Sequence, residues 1–189
     1  MNRRDKYAPG AAFGAEIEKD GEKWTLVLVR DLGHPPATVW TALTDPEHLR
    51  EWAPFDSDRN LGAVGTATLT TVGAPTPFAS ETRVKRADAP RALEFNWGGF
   101  DLRWELEPLG NSGTRLTLWH NIDRRFIAMG AAGWHVCFDV LDHLLAGEPI
   151  GRIVGPEAMK VGGWQRLHAE YAEQLGVEIA GLPPNVLKP

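Results

Sequence analysis

The sequence predicts an α+β fold, a curved antiparallel β-sheet wrapped around a long C-terminal α-helix with two short helices after the first strand. Three features carry that expectation. Between residues 64 and 122, short alternating segments follow one another, separated by Gly, Pro and Asp, which is the spacing of hairpins. From Ile127 to Ala146, the residues Trp134, Cys137, Phe138, Leu141, Leu144 and Leu145 recur at helical spacing over the longest such stretch in the chain. The chain has 189 residues and is 43% hydrophobic, enough for a single domain that buries roughly 70% of its unfolded surface.

In chain order, the first 20 residues read as an N-terminal arm. Arg3, Arg4 and Lys6 are followed by Pro9, Gly10 and Gly14, without the apolar run of a signal peptide. The domain is expected over residues 21–176 and a C-terminal tail over 177–189. Glu22 to Asp31 is rich in β-branched and aliphatic residues and reads as a strand ended by Pro35 and Pro36. Ala37 to Leu43 should be helical, with Val39, Trp40 and Leu43 on one face. Asp45 then has the chemistry of an N-cap and Pro46 that of a first helical residue, opening a second short helix to Trp52. Strands are expected at Val64–Val72, Ser80–Arg86, Arg91–Trp97, Leu102–Glu107 and Thr114–Ile122. Leu102, Trp104 and Leu106 alternate with Arg103, Glu105 and Glu107, so one face of that strand is covered and the other wet. Leu93, Phe95 and Trp97 repeat the pattern before it, and Leu116, Leu118 and His120 after it. Gly147 suits the residue just past the long helix. A shorter amphipathic helix is marked by Trp164, Leu167, Tyr171 and Leu175 and stopped at Gly176.

Composition narrows the function classes. The 20 Lys and Arg are outnumbered by 25 Asp and Glu, and no basic stripe is visible, which argues against nucleic acid as a partner. The single cysteine, Cys137, permits no internal disulfide, and no Cys/His cluster suggests structural zinc, so a reducing cytoplasm fits. No window approaches the roughly 18 apolar residues of a membrane span. Eight Trp suit either a heavy core or a cavity wall. Sequence motifs for metalloprotease, P-loop, serine-hydrolase or dinucleotide chemistry are absent, and no cofactor is expected.

Three passages resemble a known family. V-W-T-A-L-T-D-P-E-H-L-R-E-W at residues 39–52 is similar to the opening helical signature of the SRPBCC superfamily, in the branch named after the activator of the heat-shock-protein-90 ATPase. A-D-A-P-R-A-L-E-F-N-W at 87–97 resembles that branch's strand ending in Trp, and G-W-H-V-C-F-D-V-L-D-H-L-L-A-G at 133–147 its C-terminal helix. The resemblance spans roughly Trp24 to Gly147. It implies the START-like, helix-grip fold and a deep cavity between sheet and helix, used by various relatives to carry lipids or hormones, cyclise polyketides, or bind a chaperone. The eukaryotic chaperone activators are matched only in their C-terminal part, and no counterpart of their N-terminal domain is expected here.

Within that expected cavity the lining residues are Phe95, Trp97, Leu102, Trp104, Leu106, Leu118, His120, Trp134, Phe138 and Leu141, because their phases place them on the covered faces of strands and helix. His120 is the polar member. It either orients a ligand oxygen or is a buried histidine bonded to backbone at a strand end. His135, Asp139 and His143 stand four residues apart in a superficial metal row, but the wheel sets them opposite Trp134, Cys137, Leu141 and Leu144, so a solvated face without metal is expected. No carboxylate pair falls on the covered face, and no catalytic residue is assigned. The expected function is binding of an apolar or amphipathic small molecule. The alternatives are a cyclase or dehydratase using the same cavity and a chaperone-interacting co-regulator. Homodimerisation or a chaperone contact is compatible with the chain.

Overall fold

Strand alternation decides which side of the sheet can meet a helix, and the observed order follows from it. The computed structural model describes residues 2–179. The chain runs β1 (Ala15–Asp20), β2 (Lys23–Leu32), α1 (Pro36–Thr44), α2 (Pro46–Trp52), β3 (Phe55–Ser57), β4 (Gly65–Thr71), β5 (Phe78–Val84), β6 (Arg86–Asp88), β7 (Ala92–Trp97), β8 (Phe100–Leu109), β9 (Gly113–Asn121), α3 (Ile127–Leu145), α4 (Pro156–Met159) and α5 (Trp164–Leu175). Two antiparallel sheets result, one of six strands in the order β1-β2-β9-β8-β7-β6 and one of three in the order β3-β4-β5. Side chains join them: the Thr82 hydroxyl donates to the Asn96 carbonyl at 2.6 Å, and the Trp97 indole N–H donates to Thr71 Oγ1 at 2.9 Å. This is the α+β, helix-grip arrangement predicted from the sequence.

Registers place like with like. Across β8 and β9, Leu102 faces His120, Trp104 faces Leu118 and Leu106 faces Leu116, and all six are buried. On the opposite face Arg103 and Glu107 are exposed, while Glu105 is half-buried beside the Arg103 guanidinium with which it pairs. The covered face packs against α3, where Phe138 and Leu141 are fully buried. Trp52 of α2 closes the same core, its ring 6.1 Å from Trp104 and its indole N–H bonded to the Ala42 carbonyl. Asp45 caps α2 as its chemistry demands, accepting from the backbone N–H groups of Glu47 and His48.

The N-terminal segment does more than tether. Residues 15–20 form β1 and pair with β2 from Ala15↔Leu28 to Asp20↔Lys23, and the preceding residues dock on α3 and α5. Strand β3 and helix α4 were not expected from the sequence. Both are too short to carry a periodicity of their own. The tail expected over 177–189 lies, from residue 180 on, outside the described residues.

Candidate functional site

Between the first half of α3, the end of the sheet and two loops lies a cavity of about 540 Å³. Its floor is the end of the sheet: Trp97, Gly98 and Phe100 at the β7–β8 hairpin, and His120 with Ile122 at the end of β9. The hairpin turn is Gly98-Gly99, with φ of +58° and +92°. These are the values a two-residue turn needs to follow the strand twist, and the turn brings Trp97 and Phe100 face to face across the ladder. One side is α3, through Met129, Gly130, Gly133, Trp134 and Cys137. The outer wall is made of two loops. Val72–Pro75 follows β4, and Val154–Pro156 leads into α4, which adds Ala158 and Met159. Gly73 and Gly155 touch backbone to backbone, so closely that a Cβ on Gly155 would run into the Gly73 carbonyl oxygen.

Of the residues expected to line the cavity, Trp97, His120 and Trp134 do so. Phe95, Leu102, Trp104, Leu106, Leu118, Phe138 and Leu141 do not, and are buried in the core instead. A covered face is not a cavity wall. At the second half of α3 the helix lies directly on the sheet, with Phe138 and Trp104 rings 6.1 Å apart, and no space is left. The wall residues missed from the sequence lie mostly on loops and glycines, which carry no periodic signal.

His120 is the polar centre of the wall, only 4% exposed. The Trp134 indole N–H donates to its Nδ1 at 3.0 Å, so its partner is a side chain on α3 instead of backbone. Burial pushes the His120 pKa down to about 4, which leaves the ring neutral near pH 7. An indole nitrogen can only donate, so Nδ1 accepts and the proton sits on Nε2. That nitrogen is buried with no hydrogen-bond partner among the described residues. The only other ionisable side chain on the wall, the Cys137 thiol, is pushed up to about 12 by burial and stays protonated. Among the described residues the wall holds no Asp, Glu, Lys or Arg.

The far side of α3 corrects a second expectation. His135 is 1% exposed, not solvated, because the N-terminal segment and α5 fold over that face. The Phe13 ring stacks on the His135 ring at 4.3 Å, with the Arg30 guanidinium over the other side of Phe13. His135 Nδ1 lies 2.8 Å from the Tyr171 hydroxyl, and its Nε2 3.4 Å from the Asp139 carboxylate. Asp139 also accepts from the Tyr7 hydroxyl and from Arg30, both at 2.7 Å. Burial alone would push the Asp139 carboxyl up; the hydrogen bonds from His135 and Tyr7 and the charges of His135 and Arg30 hold it below the usual carboxylate range. His143, at the end of the row, is half-buried. Among the described residues no three His, Cys, Asp or Glu side chains are placed to hold a metal ion. The helix signalled this burial: Ala131, Ala132, Val136 and Val140 make α3 apolar on nearly every side, which fits a helix covered all round.

Comparison with known proteins places this architecture. A family profile described as "Activator of Hsp90 ATPase homolog 1-like protein" matches residues 33–146. Comparison with curated proteins finds no match. Among solved structures, CalU16 from Micromonospora echinospora is 21% identical with a TM-score of 0.61, covering 85% of this chain and 94% of that one. A conserved protein of unknown function from Enterococcus faecalis, EF2215, is 16% identical with a TM-score of 0.62, covering 85% and 89%. The protein encoded by BPP1335 of Bordetella parapertussis is 22% identical with a TM-score of 0.60, covering 93% and 95%. These likenesses share the fold. Among the described residues no helix is long and apolar enough to cross a membrane.

Proposed function

The chain belongs to the Activator of Hsp90 ATPase homolog 1-like family of the SRPBCC superfamily, and from that premise we propose that it binds one apolar or amphipathic small molecule in the cavity between the sheet and α3. The observation that carries this reading is the wall itself: mostly aromatic and aliphatic, with a single buried donor, His120 Nε2–H, left without a partner among the described residues. A volume of about 540 Å³ lies in the roughly 300–1,000 Å³ range of small-molecule sites, which characteristically pair apolar walls with a few placed polar groups.

One glycine supports it. Gly130 and Gly133 lie inside α3, where glycine costs about 1 kcal/mol of helix stability relative to alanine; at Gly130 a Cβ would press on Ile122 Cδ1, so packing accounts for that one. A Cβ on Gly133 would meet nothing within 4 Å, so packing does not demand the glycine, whereas cavity volume does. A cyclase or dehydratase would need ionisable groups converging on the substrate, and the two on this wall are both held neutral.

Nile red, an uncharged dye whose emission shifts to the blue in apolar surroundings, tests the reading by titration. One dye per chain should bind to the wild-type protein, and Gly133→Phe, which projects a ring into the open space, should fold and lose that binding. Equal binding by both proteins would refute the cavity as the site.

A further inference from the structure

We propose that the cavity selects uncharged aromatic ligands bearing one hydrogen-bond acceptor, and rejects carboxylates such as fatty-acid anions. The inference rests on the binding reading above and names the chemical class that the same site takes. Three properties of the wall point to it.

Among the described residues the wall offers no positive charge. A carboxylate entering it would lose its hydration with no Arg or Lys to replace the lost water, and an isolated ion in an apolar site is strongly disfavoured. His120 does not supply the charge, because its ring is 4% exposed and already committed through Nδ1 to the Trp134 indole. Its protonation near neutral pH is opposed by the same burial that would have to tolerate the ligand.

Among the described residues the wall offers one buried donor without a partner; the Thr71 hydroxyl is already engaged by the Trp97 indole N–H. With Nδ1 occupied, Nε2–H is the free hydrogen-bonding atom of the ring, and a ketone, ether or phenol oxygen satisfies it without bringing a charge. An ammonium group could find the aromatic faces, but it has no acceptor for that N–H, and entering an apolar wall without a counter-charge would cost it its hydration.

The wall is built of rings. Phe78, Trp97, Phe100, Phe126, Trp134 and Trp164 surround the space. Around His120 those rings stand at mixed angles, Trp97 tilted at 38° and Phe100 and Trp134 edge-on at 81° and 87°. Faces and edges are both presented, which suits a flat aromatic ligand.

Three naphthalenes of similar size separate the terms: 2-acetylnaphthalene, with a neutral acceptor; 2-ethylnaphthalene, with none; and 2-naphthoate, with a charge. Binding at pH 7 is read by calorimetry and by quenching of the tryptophan emission. The ketone is expected to bind roughly tenfold more tightly than the hydrocarbon, the worth of one hydrogen bond, and the carboxylate at least tenfold more weakly than the hydrocarbon. His120→Asn keeps a short acceptor for the Trp134 indole but leaves its amide N–H groups short of the Nε2 position, so it should bring the ketone down to the level of the hydrocarbon. His120→Gln, whose amide nitrogen reaches the position of Nε2, should restore part of the difference.

Carboxylate binding equal to or tighter than the ketone would overturn the inference, as would a ketone preference untouched by His120→Asn in a folded protein. Binding of Nile red without any of the naphthalenes would also overturn the proposed class while leaving the binding reading intact. Failure of Nile red as well would remove the binding reading itself.

Discussion

Trp134 and His135 are neighbours on one helix, yet they face opposite kinds of interior. Trp134 looks toward a wall without formal charge, where His120 spends one nitrogen on the indole and keeps the other unpaired. His135 looks toward a cluster in which Asp139, Arg30, Tyr7 and Tyr171 contact one another or the histidine. Buried polar groups are normally paired, so a fully engaged cluster reads as architecture and a half-engaged group beside a cavity reads as a site. The far-side cluster fastens the N-terminal segment to α3 and α5. Its partners come from Tyr7, Arg30, Asp139 and Tyr171, which are distant in the chain, and ordering them together closes the fold.

The largest effect should come from neither polar region but from the packed half of α3 that separates them. Phe138→Ala removes a fully buried ring between sheet and helix and should destabilise the protein by about 3 to 5 kcal/mol in chemical denaturation, whereas an unchanged midpoint would mean the helix does not pack as described. Next comes the far-side cluster. Asp139→Ala takes from Arg30, 21% exposed, its near counter-charge at 2.7 Å and leaves it only the half-exposed Asp142 carboxylate at 3.9 Å, and should cost about 3 kcal/mol while leaving Nile red affinity unchanged. Lost dye binding in a folded Asp139→Ala protein would break the division between the two sides.

Acid should separate the two regions by pH. The His120 pKa is lowered from 6.5 to about 4, so the unfolded chain binds its proton first, and the stability it contributes is present above pH 6.5 and lost as pH falls toward 4. The full loss is about 3 kcal/mol, from the roughly 1.4 kcal/mol carried by each pH unit. Asp139, whose pKa is held below its ordinary 3.8, contributes stability present above that value and lost only as pH falls below it. Unfolding free energy from chemical denaturation should therefore fall more between pH 7 and 4 for wild type than for His120→Asn. Parallel curves would show that His120 is not buried neutral. The smallest effect is a gain: Gly133→Ala should stabilise the protein by up to about 1 kcal/mol, with at most a modest loss of dye affinity, and a destabilisation would mean that the space beside Gly133 is already filled.

The packed half of the molecule was legible in the sequence because it repeats. Leu102, Trp104 and Leu106 on β8, and Phe138 and Leu141 on α3, announce covered faces by period alone. Alternation reports which side is covered, not what covers it, and for that reason seven core residues were expected on the cavity wall. The true wall depends on the end of the sheet, on one face of α3 and on two loops that meet at Gly73 and Gly155, a contact between residues about eighty apart with no periodic trace. His120 was legible as a polar interruption of an apolar phase. His135 was misread because the wheel compares faces only within a helix, and the segment that covers it begins more than one hundred residues earlier.

Two buried histidines flank α3 with different duties, and ring nitrogen NMR on adding 2-acetylnaphthalene tests that difference most directly. With imidazole nitrogens labelled, His120 should show its proton on Nε2, and that signal should shift as the ketone saturates the protein while both nitrogens of His135 stay fixed. Movement of the His135 signals with His120 unmoved would place the ligand on the far side of α3 and contradict the account.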